Sequence, residues 1–382
     1  MSMRKEINAL YIHIPFCSSI CIYCDFFKII NNDTKRKEYL NYLIKEAELK
    51  KDLFNNLKTI YIGGGTPSKI TIPELYGEFS TLLKIIGSNN AFLIEEFTFE
   101  VNPNDLSEEY LKALTDIGVN RISLGIQTLD EELLKFLRRS HSKDQVLKSI
   151  EILKKANFKN ISCDLMFGLP NDSWKRIKKD LDFIVENKIP HISIYSLILE
   201  EKTILYNLYK KGEYLVFNPD KEATLYYKII SYLKAQDYVH YEISNFALPG
   251  YESKHNLTYW KNEPYLGLGA NASYYYDNTR YTNINNFQKY YLGIDSKNLV
   301  FKEKQKMALH EQMIEEFILG LRLEEGVDQK TFEKKFNASP FTIFPILDKL
   351  INEEKIIFKE NKFKISEKYL YTINSILVEF LD

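Results

Sequence analysis

Cys17, Cys21 and Cys24 fall within eight residues of the segment YIHIPFCSSICIYC (11–24), and the chain has one other cysteine, Cys163. Four chemistries are open to C-x3-C-x2-C. The cysteines could be small buried residues, although core cysteines do not cluster on a loop after a strand. They could hold zinc with His13 as fourth ligand, but structural zinc takes four ligands in paired knuckles and no second knuckle follows. A redox dithiol needs only Cys21 and Cys24 and leaves Cys17 unexplained. An iron–sulfur cluster uses all three, and three thiolates on a four-iron cube leave one iron open to a substrate or cofactor. Cys163, in the alternating stretch NISCDLMFG, reads as a strand residue.

Other groups with chemistry recur at fixed places. GGGTP (63–67) supplies glycines that let backbone approach a ligand and amides that bind anions or carbonyl groups. Glu100 and Asn102-Pro103 close FTFEVNP, Gln127 closes RISLGIQ, Asp164 lies in NISCDLMFG before GLP (168–170), and Arg139 sits in LRRSH. A surface carboxylate, a strand-end hydrogen bond or a solvated helix-end charge would explain any one of them.

The elements that must position these groups alternate. Strands are expected at 9–16, 59–64, 97–101, 121–128, 160–168 and 191–199. Helices are expected at 33–53, from Pro73, and at 107–117, 130–138, 144–157 and 173–187. Strict β-α alternation implies a parallel sheet with helical crossovers. The cysteine triplet, GGGTP, Glu100 with Asn102-Pro103, Gln127, and Asp164 with GLP then lie at or near the C-terminal ends of five successive strands, the end where such barrels carry their sites.

With these motifs the chain resembles the radical S-adenosylmethionine (SAM) superfamily. YIHIPFC…C.YCDF narrows the likeness to the family of oxygen-independent coproporphyrinogen III dehydrogenases and their paralogue, the heme chaperones called HemW. The resemblance implies an α/β fold, a partial (β/α)6 TIM-like barrel with a C-terminal winged-helix-like α+β domain. It implies a [4Fe–4S] cluster on Cys17, Cys21 and Cys24, whose open iron is chelated by the amino and carboxylate groups of SAM. Electron transfer to the sulfonium then gives a 5′-deoxyadenosyl radical, with the protein supplying position and shielding. By the same likeness Gly64, Gly65 and Thr66 meet the SAM amino group, Glu100 contacts the SAM region, and Gln127 and Asp164 contact ribose or adenosine. Arg139 pairs with a carboxylate, as its fork geometry suits, and Tyr11 and Tyr23 flank the cluster. Gln127, Arg139 and Asp164 also belong to a region where some members hold a second SAM, so one molecule or two are open.

The dehydrogenase motif continues C-x3-C-x2-C-x-C, and here Phe26 stands where the further cysteine would be. That departure, together with a start close to the first strand rather than a long leader, points to the chaperone branch. Residues 241–273 resemble the block YEISNFA…HN..YW, and His255 stands in its HNxxYW motif. The resemblance links this motif to heme, which makes His255 an axial ligand, an imidazole role; the alternative is a loop histidine hydrogen-bonding a neighbour. Tyr259 and Trp260 could stack on a porphyrin or be ordinary core. The expected role is heme binding and transfer to acceptors such as respiratory-chain proteins, with no catalytic residue assigned. The alternative is oxidative decarboxylation of coproporphyrinogen III.

Composition excludes several classes. A net charge of −1 carries no footprint for nucleic acid. No apolar run approaches the ~18 residues of a membrane span, and four cysteines in 382 residues do not make a disulfide framework. A reducing cytoplasm is expected. The expected domains are 1–235 (barrel), 236–299 (an extension carrying HNxxYW) and 300–382. The last opens with a charged linker at 300–306, continues with helices at 307–323, 328–336 and 340–354 and a hairpin about Asn361, and closes with a helix at 367–381.

Overall fold

Period-two alternation of apolar and polar residues gives each strand two unlike faces, and the fold uses both. The computed structural model describes residues 6–87 and 94–381. Its first half runs β1 (Ala9–Ile14), α1 (Asp33–Lys50), β2 (Thr59–Gly64), α2 (Ser80–Gly87), β3 (Glu96–Val101), α3 (Glu108–Asp116), β4 (Arg121–Gln127), α4 (Lys143–Lys155), β5 (Ile161–Phe167), α5 (Trp174–Glu186) and β6 (His191–Ser196). Adjacent strands pair in parallel from β1 to β6. Helix starts are set by side chains that satisfy otherwise unpaired amides: Asn32, Ser107, Ser142 and Ser173 each accept from a first-turn N–H. The charged opening residues 1–5 lie outside the described residues.

One strand face buries Leu10, Ile12, Ile14, Ile60, Ile62, Phe97, Phe99, Ile122, Leu124 and Ile126 in the main apolar core with the helices. Cys163 is fully buried in that core, as a strand residue should be. The opposite face of the same strands carries Tyr11, Tyr61, Thr98, Glu100, Arg121, Ser123, Ser162, Asp164 and His191. The lumen is therefore polar.

The second half extends the sheet at both edges. After α6 (Pro219–Lys234), β7 (Val239–Glu242) and β8 (Asn245–Ala247) add antiparallel strands beside β6. Helix α7 (Lys254–Trp260) follows, then β9 (Tyr265–Leu268), a seventh parallel strand laid against β1. Antiparallel β10 (Ser273–Tyr276), β11 (Thr279–Asn283) and β12 (Phe301–Lys306) complete the order β12-β11-β10-β9-β1-β2-β3-β4-β5-β6-β8-β7.

The segment expected as a linker, 300–306, is thus largely the edge strand β12, paired with β11. Its sequence FKEKQK has charges on both faces because both are solvated, and a lysine-rich edge resists pairing with other chains.

Beyond it, α8 (Leu309–Gly320) leads into short helices and a three-stranded sheet, whose hairpin joins Ile356–Lys359 to Lys362–Ile365. The helix expected at 340–354 is broken into Pro340–Ile343 and Ile346–Asn352, since Pro345 cannot continue the first piece. The last expected helix is likewise three short turns. Among the described residues no helix is long and apolar enough to cross a membrane.

Candidate cluster and cofactor site

The cysteine loop leaves β1 and is tied down along its length. Phe16–Cys17 bridges in parallel to Ile29–Ile30, the amide of Asn31 donates to the Cys17 carbonyl at 2.8 Å, and the amide of Leu205 to the Ile22 carbonyl at 2.8 Å. The His13 ring donates through Nε2 to the Phe27 carbonyl at 2.9 Å, which leaves Nδ1 to accept from the Tyr11 hydroxyl at 2.9 Å. Lys28 donates to the Cys24 carbonyl.

All three thiols line one cavity of about 400 Å³, and none is in a disulfide. Burial pushes the Cys17 thiol up to about 11, against a hydrogen bond with Thr66, and also raises Cys24. Iron must therefore displace protons to reach thiolates here.

The GGGTP loop forms the adjoining wall. Gly64 has φ of +118°, and a β-carbon there would lie 2.6 Å from the His13 ring. Two of its amides are engaged within the chain: Gly64 N–H donates to Glu100 Oε2 at 3.2 Å and Gly65 N–H to the Ile14 carbonyl at 2.8 Å. The expectation that these glycines present free amides is corrected to that extent.

Glu100 is held from its other side by the Tyr61 hydroxyl at 2.8 Å. Burial, followed by the charge of Asp164, raises its carboxyl to about 7. Asp164, also raised by burial, accepts from the Ser123 hydroxyl at 3.1 Å. Gln127 lines the cavity in the left-handed region, φ 64°, beside a β-bulge, a strained conformation held by its surroundings.

Arg139 reaches the cavity from outside the sheet. Its Nη2 donates to Asn102 Oδ1 and to the Gly125 carbonyl, both at 2.7 Å, and Nη1 to Cys21 Sγ at 3.5 Å. Its Nε is buried without a partner, so the guanidinium keeps donor capacity for a further acceptor. Tyr23 completes the wall.

Eleven of the thirteen expected site residues meet in this cavity: Cys17, Cys21, Cys24, Tyr23, Gly64, Gly65, Thr66, Glu100, Gln127, Arg139 and Asp164. Tyr11 and His255 do not. Tyr11 turns into the lumen toward His13 and Tyr61.

Of the two readings of His255, the geometry matches the histidine bonded to its neighbours. It is fully buried, its Nδ1 hydrogen-bonds Thr59 Oγ1 at 2.8 Å and its Nε2 the Tyr259 hydroxyl at 2.6 Å. With both nitrogens engaged and no exposed surface, it offers no axial position to heme in this structure.

The cavity also holds residues the sequence did not single out: Lys28, Ser123, Met166, Tyr195, Leu197 and Ile198. Phe26, 65% exposed, and Ile198, 63% exposed, put apolar surface at its mouth.

The comparisons with known proteins bear directly on this site. A model of the radical SAM superfamily matches residues 11–184, and one of the HemN C-terminal domain matches 307–368. The "Heme chaperone HemW" of Lactococcus lactis is 40% identical over 99% of this chain and 98% of its own. The chain belongs to the HemW family of the radical SAM superfamily. The Bacillus subtilis HemW is 40% identical over 92% of each chain.

Among solved structures, coproporphyrinogen III oxidase (HemN) from Escherichia coli aligns over 98% of this chain and 90% of its own with a TM-score of 0.84; at 20% identity that likeness concerns the fold. Superfamily membership implies a [4Fe–4S] cluster and SAM. The residues present fit both, with three unbridged thiols as a soft donor set, a glycine wall with no space for a β-carbon, and an arginine with an unused buried donor.

Proposed function

We propose that this protein binds heme and passes it to heme-requiring proteins, respiratory-chain proteins among them, with a SAM-ligated cluster on Cys17, Cys21 and Cys24 supporting that role. The observation that carries the reading is the 40% identity over nearly the whole chain to a protein named a heme chaperone. Phe26 agrees with it, because this apolar, exposed side chain occupies the position that in the dehydrogenase motif is a fourth cysteine.

When bound, the cluster and SAM together supply one-electron chemistry. This chain's residues would bind and orient them: the thiols hold iron, Glu100 and Asp164 accept from ligand hydroxyls, and Arg139 donates. One SAM is the reading adopted for the cavity, and a second would share Gln127, Arg139 and Asp164. The cytoplasm is the proposed compartment.

A second reading, oxidation of coproporphyrinogen III, is favoured by one observation: apart from Tyr11, the residues expected to face SAM line one cavity, which a passive carrier would not need. An anaerobic hemin titration of the reconstituted protein, followed by its Soret band, decides between them. Saturable binding at one heme per chain, with transfer to an apo-hemoprotein, is the expected result. No saturable binding, together with turnover of coproporphyrinogen III, would replace the first reading by the second.

A further inference from the structure

Helix α7, which carries HNxxYW, sits at the N-terminal ends of the strands, across the barrel from the cysteines. Its first turn is held by Glu96, the first residue of β3. Glu96 Oε1 accepts from the His255 amide at 2.9 Å and the Ser253 hydroxyl at 3.3 Å, and Oε2 from the Lys254 amide at 3.0 Å. A carboxylate on unpaired first-turn amides is a strong anchor. Thr59, the first residue of β2, and Tyr259 then fix both nitrogens of the His255 ring.

From the ring the contacts run upward. The His255 imidazole lies against the Tyr61 ring, centroids 5.2 Å apart at 31°. Tyr61 passes beside Gly63, where a β-carbon would lie 2.8 Å from Tyr61 Cε1 and 2.9 Å from Glu100 Oε1. The Tyr61 hydroxyl ends on Glu100, whose other oxygen meets the GGGTP loop. A plug made only to fill the barrel base would be cheaper as aliphatic residues, since each buried polar group must be paired. Here the polar groups form a directed series that ends at the cavity.

We propose that HNxxYW acts from beneath the cavity: His255 and Tyr61 are positioning residues that hold the Glu100 carboxylate toward bound SAM. The proposal rests on SAM occupying this cavity.

The test uses full-length protein reconstituted anaerobically with its cluster. Three quantities are read: SAM affinity by equilibrium dialysis, the SAM-induced change in the reduced cluster's EPR spectrum, and hemin binding. Tyr61→Phe should weaken SAM binding about tenfold, the order of losing one hydrogen bond to a charged group, and His255→Ala, which removes the ring packed on Tyr61, should weaken it in the same direction; both should diminish the EPR change at unaltered iron content. His255→Gln, which keeps a donor and an acceptor, should restore most of the affinity, and hemin binding should persist in all three.

Unchanged SAM affinity and EPR response in Tyr61→Phe and His255→Ala would overturn the proposal. So would loss of the hemin Soret band in His255→Ala with SAM binding intact, which would make His255 a heme ligand after all. If His255→Ala does not fold, Tyr61→Phe decides alone, because it removes one oxygen. Wild-type protein that binds no SAM would remove the cavity reading, and this proposal with it; wild-type protein that binds SAM but no heme would remove only the chaperone reading.

Discussion

A β-carbon on Gly65 would lie 3.0 Å from Sγ of Cys17 and 2.9 Å from the carbonyl carbon of Pro15. The glycine loop and the cysteine loop touch there, backbone to thiol. Gly65→Ala must push Cys17 away from its partners, at an overpacking cost of about 2 kcal/mol. We expect the variant to fold but to retain well under half of the wild-type iron after reconstitution. Iron analysis and absorbance near 400 nm check this, and full iron occupancy would show that the two loops can separate freely.

The cysteines themselves should divide three to one. Cys17→Ala, Cys21→Ala and Cys24→Ala should each lose the cluster, whereas Cys163→Ala should keep it. The latter removes one sulfur from the apolar core, at a stability cost of about 1 kcal/mol. A cluster that survives any of the first three substitutions, or fails in the fourth, would reassign the ligand set.

Glu100 gives SAM binding a pH dependence. With its carboxyl raised to about 7 by burial and by Asp164, it is largely protonated at pH 6 and ionised at pH 8. The ionised form is the better acceptor for ligand hydroxyls. Affinity for SAM should therefore rise several-fold from pH 6 to pH 8 in the wild type. The SAM amine also titrates, so the decisive comparison is Glu100→Gln, which should show a shallower rise. Parallel profiles for the two proteins would exclude Glu100 as the source.

Stability should fall in mild acid. Burial lowers His13, His141 and His240 to about 4 and His255 to about 3, and holds His191 well below its ordinary value. Unfolded, these groups take up protons near 6.5. Their contribution is complete above that value and is lost as the pH drops toward 4. Glu100 and Glu242, both raised to about 7 by burial, act the other way, favouring the folded state more at low pH and less as the pH rises from 4.5 to 7. Asp164, Asp180 and Glu222, also raised by burial, act in the same sense as these glutamates, but the five histidines lose their contribution across the whole range from about pH 6.5 down to 5. The urea midpoint of the apo-protein should be lower at pH 5 than at pH 7; equal midpoints would contradict the burial of these imidazoles.

Much of this site was legible because its signals are local. TIYIGG at 59–64 forms a strand with the expected limits, since period-two alternation and a glycine terminus are written in neighbouring residues. The cysteine spacing, GGGTP and the strand-end polar residues converge because parallel strands bring their C-terminal ends to one side.

What was not legible depends on distant pairings. Nothing near Tyr265 says that it lies opposite Ala9, and FKEKQK has no apolar face to mark it as a strand. Tyr61, Ser123 and Ser162 look like solvent-facing alternates, and only the closing of the sheet turns that side into a lumen. The surroundings of His255 were hidden for a related reason. A motif names residues but not the end of the barrel to which they go, and the carboxylate that decides this, Glu96, stands on a strand far away in sequence.

The pairing of β1 with β9 also governs when the protein can be completed. The strand that leads into the cysteine loop has one neighbour in β2, soon after it, and another in β9, which leaves the ribosome only after most of the chain has been made. Until then one hydrogen-bonding edge of β1 stays open, and such long-range pairings form late. The scaffold under the cysteine loop is therefore closed on both sides only once a strand from far along the chain has paired with it.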